Sequence, residues 1–160
     1  MAMVLSILMG APLWVWPLLV FLIYFGLKAT RQRTAASWPI YLLTMLGLLS
    51  VNAVNTLPAA GYIWIVFGLA YLGGAIGGSR FQKTIIREKV GTKVTFAGEW
   101  LTFVVIMIVF WMNFAGGVFK AIAPDIYNGS PFHIAFATIA GLAAGSFLGR
   151  ALRVYLFPSD

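Results

Sequence analysis

Acid–base, nucleophilic and metal chemistry need side chains that this sequence carries sparingly and does not cluster. Among 160 residues there are 1 His, no Cys and 4 acidic residues. His133 with Asp125 is a weak acid–base pair, and no Ser stands in a nucleophile elbow. Without Cys there is no disulfide and no thiolate ligand. His133, Asp125 and Glu99 are too few for a metal site, and Glu99 falls at the opposite end of the apolar segments from the other two. No Walker sequence or dinucleotide fingerprint is present. The sequence therefore predicts no enzyme, no catalytic residue, no metal and no cofactor.

What remains is amide chemistry. Asn52 and Asn55 stand three apart and share a helix face, and Asn113 lies at a similar depth on a later segment. An unpaired amide in hydrocarbon is costly. The three asparagines are thus expected either to bond between helices or to line a small polar cavity, with Asp125 and His133 at its outer rim. The second option would suit a small transporter or channel for a neutral solute. No ionisable residue falls at the centre of an apolar segment, which argues against a proton-driven carrier or a cation pump.

The elements that must position these residues are membrane helices. Charged residues make up 9% of the chain and the hydrophobic set 61%, and mean hydropathy is +0.93. Fifteen charges cannot cover the surface of a water-soluble fold of this size. A helix crossing a hydrocarbon core of about 30 Å needs roughly 20 apolar residues. Five stretches fit: about 4–27, 38–57, 59–78, 100–119 and 132–149. The expected fold is an all-α bundle of five transmembrane helices in a single domain, 1–160. The run before Lys28 has no basic start and is too long for a signal-peptide core, so it is expected to remain as a helix. Between the third and fourth helices, loop 79–98 reads as a hairpin, with β-branched runs on either side of Val90-Gly91-Thr92.

Orientation follows from the cations. Ten of the 11 Lys and Arg residues lie on one side if the five segments alternate, with only Lys120 opposite. Cytoplasmic loops retain Lys and Arg, so the N-terminus is expected outside and the C-terminus in the cytoplasm. Arg80, Lys83, Arg87, Lys89, Lys93, Arg150 and Arg153 then become contacts for anionic lipid headgroups or for a membrane partner. Because the cations hug helix ends, the net charge of +7 is read as topology and not as a nucleic-acid footprint. Trp14, Trp16, Trp38, Tyr41, Tyr62, Trp64, Trp100 and Tyr155 sit near segment ends, as interfacial anchors do. Trp111 is the exception, lying within the fourth segment.

Glycines four apart mark the helix contacts. Gly73 and Gly77, Gly74 and Gly78, and Gly141, Gly145 and Gly149 each line one face, where small residues let backbones approach. Packing within the chain is the first expectation and an oligomer seam the second. Two hairpins, 38–78 and 100–149, also echo one another, each opening on Trp and closing on Gly-rich turns before an Arg.

Pro12-Leu-Trp-Val-Trp16, Gly98-Glu99-Trp100 at the fourth segment and the closing Phe147-Leu-Gly-Arg-Ala-Leu-Arg153 resemble a family of small, uncharacterised bacterial inner-membrane proteins. Glu99 stands where that pattern has a small residue, and Asn113 near a place where it has a basic one. The resemblance implies a multi-pass protein of a bacterial inner membrane and no particular activity. Intact anchoring and packing signals, beside an absence of catalytic or ion-coupling groups, lead to a non-catalytic accessory subunit, or a self-associating one, with a membrane protein or a second copy as partner.

Overall fold

The computed structural model describes residues 12–36, 38–90 and 93–156. Six helices and three short strands follow one another: α1 Val15–Ala29, β1 Arg33–Ala36, α2 Trp38–Asn55, α3 Tyr62–Ile85, β2 Ile86–Val90, β3 Lys93–Phe96, α4 Leu101–Ile122, α5 Pro124–Tyr127 and α6 Ser130–Leu156. Among the described residues, α3 (Tyr62–Lys83), α4 and α6 are long and apolar enough to cross a membrane. The chain is a multi-pass membrane protein. Large apolar side chains such as Val20, Ile65, Leu69, Leu72 and Leu152 are exposed around the bundle, as a surface facing hydrocarbon requires.

The helix bounds depart from the sequence expectation where packing extends them. In the first segment, residues 4–11 lie outside the described residues. The helix begins at Val15, with Pro17 in its first turn, where a missing N–H costs nothing. It is 15 residues long. Segment two ends at Asn55, three residues before Pro58, because the residue before a proline is held out of the α region. Segment three was expected to end at Gly78 and instead continues to Ile85, since Gln82 on the extra turns is buried. Segment five likewise passes Gly149 and runs to Leu156, with Arg150, Ala151 and Val154 all buried.

α3 and α6 form the centre of the bundle and run parallel. A Cβ on Gly141 would lie 2.6 Å from the Phe67 carbonyl oxygen, and a Cβ on Gly145 or Gly149 would strike the Tyr71 or Ala75 carbonyl. In return, Gly74 and Gly78 face the Leu142 and Ser146 carbonyls. Five of the seven glycines singled out above therefore build this seam, where only hydrogen fits between the backbones. Gly73 and Gly77 do not belong to it. Both are exposed: Gly73 has only a Leu142 methyl at 3.8 Å, and Gly77 has nothing within 4 Å. The helical period decides this, because residues four apart share a face while their immediate neighbours point about 100° away.

α2 packs on α6, and α1 packs on α4, with Gly26 beneath the Phe103 ring. α4 meets α6 near both of its ends. At one end, Gly116 lies under Phe132 and Phe119 meets Phe132 edge-on with ring centroids 5.7 Å apart. The principal apolar cluster is close by: Val54, Leu57, Ile63, Phe67, Phe132, Phe136, Ala137 and Ala140. The two hairpins do not pack as equivalents, because α2 rests on α6 whereas α4 rests on α1 and α6.

At the other end lies a small antiparallel sheet of order β1-β3-β2. The expected hairpin is present as β2 and β3, with an irregularity between Ile86 and Glu88. β1, in the turn between α1 and α2, was not anticipated. It pairs with β3 from Arg33↔Phe96 to Ala36↔Lys93, so the two long connections are hydrogen-bonded into one unit. The bundle itself is helical, as expected, and the sheet is confined to the connections between helices. A hairpin leaves an unpaired edge, and Thr34-Ala-Ala satisfies the β3 edge.

Candidate functional site: a buried charged centre beneath the sheet

Residue by residue, the polar centre of the molecule is built from Glu99, Thr102 and Arg150. Gly98 holds the approach: its Cα lies against the Thr30 carbonyl so closely that no Cβ could be accommodated. The Glu99 N–H donates to the Ala29 carbonyl at 3.0 Å, which ties the start of α4 to the end of α1. Glu99 immediately precedes Trp100, the N-cap of α4, where the helix dipole favours negative charge. Its carboxylate reaches across to α6.

There the Arg150 guanidinium donates to both carboxylate oxygens, Nη1 to Oε1 at 3.1 Å and Nη2 to Oε2 at 3.2 Å. Arg150 Nη1 also donates to the Thr102 hydroxyl at 2.6 Å, and that hydroxyl donates to Glu99 Oε1 at 2.6 Å. The side chains of Arg150 and Glu99 are 7% and 13% exposed. Arg150 Cζ stands 5.7 Å from the Phe81 ring centroid, which adds a cation–π contact from α3. Three helices thus converge on one guanidinium. Among the described residues, Arg150 Nε is buried without a partner.

Chemically this arrangement is closed. Each Glu99 oxygen accepts from the guanidinium fork, Oε1 accepts a second bond from Thr102, and the single Thr102 proton is thereby committed to the carboxylate. The centre holds helices together. Among the described residues, no group of three or more His, Asp or Glu could bind a metal ion.

The sequence-predicted residues are distributed differently. Asn52 and Asn55 are exposed on α2. Asn113 is exposed on α4, and its amide donates back to the Val109 carbonyl at 2.9 Å. The structure does not bring the three together, because α2 and α4 each pack on α6. Asp125 is exposed in the single turn of α5, whereas His133 is buried at 2% exposure. His133 is therefore an interior residue and not a rim residue beside Asp125: it packs edge-on to Tyr127, and among the described residues its Nε2 has no partner. The reason is that α6 turns His133 onto the same buried face as Ala137, Ala140 and Ala144. Arg80 and Lys83 are exposed, as headgroup contacts would be. The side chains of Arg87, Lys89 and Lys93 lie outside the described residues. Arg150 is corrected outright from headgroup contact to buried ion pair, and Arg153 is half-buried with a partnerless Nε.

Glu99 and Arg150 each stand out in the sequence, but their pairing does not. A signal existed: Glu99 is the sole acid at its helix end, and Arg150 follows directly on the last glycine of a seam that draws α6 inward.

Comparison with known proteins returns one partial likeness. The chain is 33% identical over 103 residues to NAD(P)H-quinone oxidoreductase subunit 2, chloroplastic, of Chlorokybus atmophyticus. The matched stretch covers 62% of this chain and 20% of that protein, so the chain spans about a fifth of the relative's length. No family model and no solved structure matches the chain.

Proposed function

We propose that this protein is a non-catalytic subunit of a membrane assembly, associating with other membrane subunits or with copies of itself. The observation that carries the reading is the 33% identity to a stretch of a protein described as an oxidoreductase subunit. The geometry adds a surface for association. α3 presents Gly73 and Gly77 outward beside exposed Ile76, and small residues next to large ones allow a second helix to approach closely. The Glu99–Arg150 pair, tied on both carboxylate oxygens and shared between helices, is consistent with a scaffold.

In this reading the chain sits in a bacterial inner membrane with five helices crossing, its N-terminus outside and its C-terminus cytoplasmic. Gathering of the α1 end, the sheet, the α4 start and the Arg150 turn at one pole supports the alternation, and Lys and Arg at that pole support its cytoplasmic placement. The test is mild solubilisation of the tagged protein from its native membranes, followed by mass spectrometry and size analysis. A stoichiometric companion or a discrete homo-oligomer is expected, and Gly73→Leu/Gly77→Leu should disperse it. A monomer in both native-membrane crosslinking and solution would overturn the reading.

A further inference from the structure

α4 carries an amide to the depth of the membrane farthest from water. The helix is 22 residues long, about 33 Å at 1.5 Å per residue, close to a hydrocarbon core of about 30 Å. Asn113 stands about 2 Å from its midpoint, and it is exposed there. Its Nδ2 donates one N–H to the Val109 carbonyl of its own helix. A carboxamide offers two N–H donors and a carbonyl with two lone pairs. The second N–H and Oδ1 therefore find no partner among the described residues.

An amide left unpaired at this depth is costly. Acyl chains carry neither donor nor acceptor, and the ester groups of lipids lie at the edges of the core. What covers Asn113 must bring a hydrogen-bonding group to the centre of the membrane, as another protein helix can. Gly117, one turn on, admits such a helix. It is exposed on the same face, with nothing within 4 Å of where its Cβ would stand.

Symmetry selects among partner helices. Two copies inserted the same way are related by a two-fold axis along the membrane normal, which sets α4 parallel to its counterpart and residue against like residue. A charge placed so is repelled. A carboxamide is self-complementary, because the N–H of each copy donates to the Oδ1 of the other. From Leu101 to Phe119 α4 has no charged residue. Lys120, at the end of this face, leans over the Tyr127 ring of its own chain with Nζ 6.0 Å from the centroid. We propose that Asn113 and Gly117 form a two-fold self-contact, in which reciprocal Asn113 amide bonds join a second copy of this chain through α4. The proposal rests on the associating-subunit reading and adds a contact on a helix other than α3.

The test uses the full chain in phosphatidylethanolamine/phosphatidylglycerol vesicles, with the dimer fraction read by single-molecule photobleaching as protein is diluted in lipid. Asn113→Leu should weaken dimerisation about tenfold, as loss of two interhelical hydrogen bonds implies. Asn113→Gln keeps the carboxamide and should retain most of it. Because the Asn113 amide bonds only within its own helix, both variants should unfold like the parent. Gly117→Cys should form a disulfide-linked dimer on oxidation, the chain having no other Cys. That crosslink should persist in a Gly77→Leu background, which separates this contact from the α3 face. A dimer indifferent to Asn113→Leu would overturn the contact and leave the associating-subunit reading standing. A chain monomeric in vesicles that holds a companion in native membranes would overturn it too, since the amide then serves a different subunit.

Discussion

Removing Arg150 should destabilise the protein more than removing any exposed cation, and the structure sets the scale. Arg150→Met keeps the length and apolar stem but takes two donors from the Glu99 carboxylate and one from Thr102. The carboxylate, 13% exposed, is then left unpaired between α4 and α6, and breaking a buried pair from one side costs about 3–5 kcal/mol. Against a total stability of about 5–15 kcal/mol for a domain, that is a large fraction. Glu99→Leu should cost about as much, by leaving the guanidinium unpaired. The double variant Glu99→Leu/Arg150→Met replaces the pair with apolar bulk, and should recover most of the loss. Arg150→Lys should fall between, because an ammonium cannot fork onto two oxygens. Unfolding by increasing sodium dodecyl sulfate in mixed micelles, followed by Trp fluorescence, reads each variant and closes the double-mutant cycle. A single-variant cost below about 1 kcal/mol, or a coupling near zero, would show that water already screens the pair and would refute its burial.

Three further expectations come from other parts of the fold. Gly145→Ala must push the Tyr71 carbonyl away and should cost about 1–3 kcal/mol as overpacking does, whereas Gly77→Ala meets open space and should be neutral or stabilising by up to about 1 kcal/mol; equal effects in the same unfolding assay would contradict the parallel seam. Val94→Pro, in the middle of the central strand, removes a ladder N–H and should release both connections, measured as faster proteolysis between α3 and α4. The chain has no Cys, so single cysteines report sidedness cleanly: Lys120→Cys should react with an impermeant maleimide on intact cells, and Lys83→Cys only after permeabilisation. The reverse pattern would invert the proposed orientation.

Much of the framework was readable because membrane physics writes long signals. Apolar runs placed α2, α3, α4 and α6 to within a few residues at the ends away from the sheet, and the β-branched runs flanking Gly91 marked β2 and β3. What escaped depended on contacts between segments. Nothing local in Thr34-Ala-Ala distinguishes a strand from a turn, and only the free edge of β3 makes it one. Arg80 and Arg150 look alike in sequence, each following Gly-rich helix turns; one is exposed and the other buried, and the difference is Glu99, 51 residues earlier and just ahead of α4. His133 was placed by its distance from the segment end, although the face it occupies on α6 decided its burial.

The α3 helix shows why glycine spacing alone could not separate these roles. Its residues serve three surfaces. Gly74 and Gly78 meet the α6 backbone, Ile65, Gly68 and Leu72 wall a trough shared with α2, and Gly73 and Gly77 face outward. The first surface is filled within the chain, so substitutions there report on folding. The other two remain open in the isolated chain, so substitutions there spare folding and report on what arrives from the membrane. Gly68→Phe and Gly77→Leu sit on the same helix, add bulk to equally open positions, and address different faces. If self-association responds to Gly77→Leu and not to Gly68→Phe, the outward face alone carries the α3 contact; if both variants abolish it, the two surfaces must be treated as one.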